Sequence, residues 1–108
     1  GFSQGTMMVL HVGLRRPRPP AAIIGFSGRL IGPELLEQEM TAKPPVLLVH
    51  GDCDEIVPIA AFYDALPALG RAGLAVEWHV CQGMGHSIDQ VGLELGAGFL
   101  TRSLAHVA

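Results

Sequence analysis

Charge is scarce in this sequence: only 16% of its 108 residues are Asp, Glu, Lys or Arg, against 49% hydrophobic residues. That balance, with a mean hydropathy of +0.39, excludes a disordered chain, which needs few apolar residues and high charge. Basic side chains are the scarcer kind, seven against ten acidic ones for a formal charge of −3. Nucleic-acid binding therefore has no electrostatic footprint here. Cysteine is nearly missing. Cys53 and Cys81 are too few for a disulfide framework and point to a reducing compartment, taken as the cytoplasm. No apolar run approaches the roughly 20 residues of a membrane-spanning helix, so stable membrane insertion is excluded. The first residues carry neither an initiator Met nor a targeting segment, and the chain is read as a C-terminal fragment of one larger domain. A chain this long buries roughly 65% of its unfolded surface, enough for a modest core.

What is present is apolar periodicity. Thr6 to Arg16 reads as a helix with Met7, Leu10, His11 and Leu14 on one face, stopped by Pro17, Pro19 and Pro20. Residues 21–26 are a short apolar run that suits a buried strand, and one or two helical turns are expected around Pro33–Met40. Val46 to His50 is the clearest strand, and its continuous hydrophobicity suits burial on both faces. Pro58 is expected at the first position of a helix through Arg71, with Ile59, Phe62, Tyr63, Leu66 and Leu69 inward and Pro67 kinking or splitting it. Residues 75–81 alternate as a less buried strand. Asp89 to His106 closes as a helix whose apolar positions include Leu95, Phe99 and Leu104, with Gly92, Gly96 and Gly98 allowing close packing. The alternation predicts an α/β fold of three parallel strands with flanking helices.

Chemistry concentrates at the ends of these strands. Gly1-Phe2-Ser3-Gln4-Gly5 fits G-x-S-x-G, a sharp strand-to-helix turn that exposes a serine hydroxyl. A Cβ at either flanking glycine is expected to clash, and the following helix aims its N–H groups at any oxyanion formed there. Alone, so short a pattern has low specificity. A hydroxyl nucleophile also needs a base, and the base needs an acid to orient it. The loop His50-Gly51-Asp52-Cys53-Asp54-Glu55 supplies carboxylates after the best strand, and Gly85-His86-Ser87 supplies an imidazole after the last one. Each gap holds at least one strand–helix crossover, so serine, acid and histidine share the C-terminal edge of one parallel sheet, where ligands bind in such folds. The order Ser, Asp, His is the α/β-hydrolase order. Spacing from the strand end is the only discriminator between Asp52 and Asp54, with Glu55 a distant third; the Asp not used is expected to bond its own turn backbone.

Four stretches together resemble the phospholipase/carboxylesterase family of α/β-hydrolases, which includes acyl-protein thioesterases and bacterial carboxylesterases. They are Gly1–Gly5, Phe26-Ser27-Gly28, the run from His50 to Pro58, and Gly83-Met84-Gly85-His86-Ser87-Ile88. The resemblance runs nearly end to end but covers only the C-terminal half of such proteins. It implies Ser3 as nucleophile, His86 as base and Asp54 as acid, the last from the pattern H-G-x-x-D-x-x-V-P. It also implies the Gln4 N–H as one oxyanion donor. The implied activity is a serine hydrolase acting on a small-molecule carboxylic ester or thioester, with no cofactor or metal. The second oxyanion donor and the strand leading into Ser3 are expected in the preceding half. A dienelactone-type hydrolase would carry Cys where Ser3 stands.

Other readings sit beside these. Ser3 could serve as an ordinary helix N-cap. Cys53, flanked by carboxylates, has poor thiolate character and is disfavoured as a nucleophile. His50 reads as structural, and His11, His79 and His106 as surface or packing residues; with the cysteines they form no metal-ligand set. Met84 and Ile56 are candidates to face an acyl chain, and Phe2, Met7 and Met8 read as core or pocket lining. Lacking a preceding strand, Ser3 is expected to fray away from His86, leaving the strand at Ile23-Ile24 as an exposed edge. The alternative function is therefore an inactive fragment that dimerises or associates through that edge.

Overall fold

The computed structural model describes residues 1–105. Helix α1 spans Gln4–Gly13, β1 Ile23–Phe26, α2 Leu36–Glu39 after a 3-10 turn at Pro33–Leu35, and β2 Val46–Gly51. Helix α3 spans Ile59–Arg71, β3 Val76–Cys81 and α4 Gln90–Ala105. The strands form one parallel sheet in the order β1-β2-β3, with Ile23 opposite Val46 and Val46 opposite Val76. The predicted fold class is the observed one.

Strand β2 lies in the middle, and all six of its residues are buried. Its alternation divides the core in two. Val46 and Leu48 join Leu10, Leu14, Phe62 and Leu69 on the face covered by α1 and α3. Leu47 and Val49 join Cys81 and Phe99 on the face covered by α4. This two-sided burial is why β2 reads as an uninterrupted apolar run.

Several helical details differ from the sequence reading. Helix α1 ends at Gly13 rather than Arg16; Arg15 folds back and donates Nη1–H to the His11 carbonyl, a cationic seal on the helix end. Pro58 caps α3 instead of opening it, and Pro67 does not split the helix. Pro67 and Tyr63 both face solvent, where water can satisfy the carbonyl that Pro67 leaves without a donor. Tyr63, expected inward, is 52% exposed. The α4 face turned to the sheet is Gly92, Gly96 and Phe99, while Leu95 and Leu104 point outward. The first two glycines let α4 approach Phe26, so the helix turns its bare side inward. Trp78 stands exposed on the edge strand β3, its ring 6.1 Å from Phe62. The expected end of the last helix at His106 lies outside the described residues. Among the described residues, no helix is long and apolar enough to cross a membrane.

Candidate active site

The Ser3 elbow departs from the frayed terminus expected of it. Ser3 donates its N–H to the Phe26 carbonyl at 2.9 Å, and Phe26 donates to the Gly1 carbonyl at 2.9 Å. Phe2 thereby bridges Phe26 in parallel, so these residues occupy the β1 edge at Ile24–Phe26. Ladder pairing and the Thr6 hydroxyl, which donates to the Phe26 carbonyl at 2.7 Å, hold the turn in place. Below it, an apolar groove of about 490 Å³ opens along Gly1, Met8, Val12, Ile24 and Leu100; it contains none of Ser3, Asp54 or His86.

Ser3 has φ +54°, a left-handed value uncommon outside glycine and costing about 1–3 kcal/mol. It occupies the N-cap position but makes no capping bond. Its hydroxyl is instead 3.0 Å from His86 Nε2. A Cβ on Gly1 would press to 2.5 Å of the Gly5 carbonyl carbon, as the sharp turn requires, whereas a Cβ on Gly5 would meet nothing within 4 Å. The steric argument for glycine thus holds at one flank only, because Gly5 points away from the turn.

The acid loop after β2 separates the carboxylates. Asp54 has a side chain with 0% exposure, and its Oδ1 accepts the N–H of Ile56 at 2.9 Å and of Val57 at 2.8 Å. Its Oδ2 faces His86 Nδ1 at 2.8 Å. Burial acts to raise the Asp54 pKa, but the bonds from His86, Val57 and Ile56 outweigh it and hold the group below the ordinary carboxylate range. Asp52 instead accepts the Gly83 N–H at 2.7 Å, stitching the β2 and β3 loops together rather than bonding its own turn. Glu55 is exposed.

An ionised Asp54 only accepts, so His86 Nδ1 carries the proton between them, and in the neutral ring Nε2 is left to accept from Ser3. The donors thus point one way along the row, Ser3 Oγ toward His86 Nε2 and His86 Nδ1 toward Asp54 Oδ2. The phenyl ring of Phe2 flanks the imidazole at 4.9 Å between centroids. Gln4 opens α1, and a first-turn N–H has no helical carbonyl behind it to bond. Met84 is half-buried against the Leu47 and Val49 cluster, and Ile56 is 68% exposed beside Asp54. Cys53 is exposed, and the hydrogen bond and charge of Asp52 push its thiol pKa up.

Two residues gained contacts that residue type alone did not signal. His50, read as structural, is fully buried, with Nε2 2.7 Å from the Val57 carbonyl and 3.5 Å from Asp54 Oδ2. It steadies the same loop that presents the acid. Ser27 reaches the histidine loop, with Oγ 3.1 Å from the Ser87 carbonyl.

A parallel sheet with a serine elbow, an acid loop and a histidine loop on one edge defines the chain as part of an α/β-hydrolase. The phospholipase/carboxylesterase family profile matches residues 1–104, and the chain belongs to that family. It is similar to the crystal structure of esterase PE8, at 51% identity and a TM-score of 0.90, over 94% of this chain and 47% of that one. It is 34% identical to acyl-protein thioesterase 1 of Neurospora crassa, over 100% of this chain and 46% of the relative. A rice relative named a probable inactive carboxylesterase is 30% identical over 87% of this chain and 40% of its own length. The chain spans about half the length of the curated relatives it matches.

Proposed function

We propose that this chain carries the catalytic residues of a serine hydrolase that cleaves carboxylic esters or thioesters through an acyl-enzyme. Ser3 Oγ attacks the acyl carbon while His86 Nε2 takes its proton. Asp54 holds His86 in the required tautomer and stabilises the imidazolium. The Gln4 N–H, at the positive end of α1, donates to the oxyanion of the tetrahedral intermediate. His86 then returns the proton to the leaving alcohol or thiol. Water, deprotonated by the same imidazole, releases the acid and restores Ser3. The relay needs no metal or cofactor, and Ile56 and Met84 border the acyl group. The two free cysteines favour a reducing compartment, and we place the activity in the cytoplasm.

The observation that supports this reading is the unbroken pair of contacts from Ser3 to His86 at 3.0 Å and from His86 to Asp54 at 2.8 Å. A fluorophosphonate probe tests it. The expected result is one adduct, mapped by peptide sequencing to Ser3 and lost in Ser3→Ala; an adduct on any other residue overturns the assignment.

One observation favours a second reading, in which the chain associates rather than catalyses. The apolar groove runs along Gly1, Ile23 and Ile24 at the margin of the sheet, beyond the short pairing of residues 1–3 with β1, a place where strands of another copy can pair. Sedimentation of the probe-labelled and unlabelled chain distinguishes the two: a self-associating species that takes no label supports association alone.

A further inference from the structure

The Ser27-Gly28 pair at the end of β1 takes no part in the proton relay, yet it lies between the two loops that make it. On one side it abuts the elbow. A Cβ on Gly28 would collide with the Thr6 side chain and come within 2.9 Å of the Ser3 carbonyl, so only glycine lets the chain pass. The neighbouring Phe26 carbonyl accepts both the Ser3 N–H and the Thr6 hydroxyl. On the other side, the Ser27 hydroxyl reaches the carbonyl of Ser87, the residue after His86. A second bond of Ser27 runs from its N–H to the Val49 carbonyl at 3.0 Å, anchoring the pair to the central strand.

Ser27 is also out of place conformationally. It is 1% exposed and has φ +54°, like Ser3. They are the only non-glycine residues at positive φ among the described residues. Glycine would adopt this backbone without steric cost. A serine here keeps the strain and adds one thing that glycine lacks, the hydroxyl bonded to Ser87. Strained backbone persists where the surroundings over-determine it, and here the two bonds of Ser27, to Val49 and Ser87, and the elbow held against its neighbours Phe26 and Gly28 do so.

We infer that Ser27 is a positioning residue for the proposed hydrolysis, a brace that sets the separation of Ser3 and His86 by tying the elbow to the histidine loop. The inference rests on the serine-hydrolase reading, and its geometry is independent of the substrate. The brace acts on His86 through Ser87, not on substrate. Its loss should leave KM for a small ester near its original value while kcat falls, because misplacement by about an ångström costs up to roughly 10²-fold.

The test pairs Ser27→Ala with Ser27→Gly. Both remove the hydroxyl; glycine also relieves the positive φ, so the glycine variant should unfold at a higher temperature than the alanine variant. We expect both to lower the rate of Ser3 labelling by a fluorophosphonate by about tenfold to a hundredfold. In both, the His86 Nδ1–H proton resonance should exchange with water faster than in the parent chain. Labelling rates that follow the order of thermal stability, with Ser27→Gly unimpaired, overturn the proposal, as does an unchanged His86 resonance in both variants. If the resonance responds in both variants but Ser3 of the parent chain takes no label, the brace stands and the hydrolase reading fails.

Discussion

The two ends of the relay are held in opposite ways. Asp54 is fixed by its own side chain: both oxygens are engaged, two of the donors lie two and three residues ahead, and no part of the carboxylate meets solvent. Ser3 is fixed by its backbone, which is bent to a left-handed conformation and paired to β1 at the margin of the sheet, next to an apolar groove. Its hydroxyl makes no bond within its own turn and is free to face His86. For the proposed acid, local hydrogen bonds outweigh burial and keep Asp54 ionised and still. For the proposed nucleophile, a half-buried serine on a strained turn keeps its hydroxyl turned toward His86. The comparison teaches that the acid end is a short-range structure and the nucleophile end a long-range one.

The sharpest way to break this contrast is at the acid. Asp54→Asn keeps the shape but removes the charge and turns one of the two acceptor oxygens into a donor, and should lower kcat of the active enzyme by about 10⁴. Asp52→Asn, which alters the Gly83 bond and the contact with the Cys53 thiol but no contact to His86, should change kcat by no more than a few-fold. A larger loss at Asp52, in parallel assays, reverses the assignment of the acid.

The nucleophile end gives the next largest effect. Gly1→Ala drives a Cβ into the main chain of Gly5 and should displace the elbow, cutting Ser3 labelling by about 10²-fold. Gly5→Ala enters open space within the first turn of α1. It should leave labelling unchanged and stabilise the chain by about 0.5–1 kcal/mol through helix propensity, read from thermal unfolding. Equal effects at the two glycines would show that the turn is not held by the contact described.

The smallest effect expected is on acid stability. Asp54 has a folded-state pKa below its unfolded value, so its contribution is fully present above the unfolded value of about 3.9 and is lost as pH falls through the lower folded value. Thermal midpoints of the parent chain should therefore decline in that acid range, and those of Asp54→Asn should decline less. A parallel decline in both would mean that other carboxylates dominate.

Much of this was legible before any coordinates. β2 read correctly because two-sided burial makes every residue apolar, and the order of serine, acid and histidine follows from strands that end on one edge. The relation of Asp54 to its turn was read the wrong way round: the carboxylate left unused was expected to bond its own turn, whereas Asp54 accepts the N–H groups of Ile56 and Val57 and Asp52 reaches Gly83. Other features were hidden. Helix α4 carries leucines that suggested an inner face, but the sheet accepted the glycine side because Phe26 fills the space a side chain would need. Ser27 stood out only as part of the stretch Phe26-Ser27-Gly28 that resembles the family, and neither its positive φ nor its bond to a carbonyl 60 residues away has a local signal. The elbow was expected to fray, since pairing between residues 1–3 and β1 is a tertiary contact.

The sequence by itself determined the residue types, their order along the chain, and the α/β pattern that brings strand ends to one edge, because periodicity and turn chemistry act over a few residues. Only the tertiary structure decided the 3.0 Å between Ser3 and His86, which stand 83 residues apart, and which of two neighbouring carboxylates turned inward to meet the imidazole. Those distances depend on how α1, β1 and the histidine loop pack around Ser27, and packing at that range is set by the shapes of all the contacting side chains together rather than by any one of them.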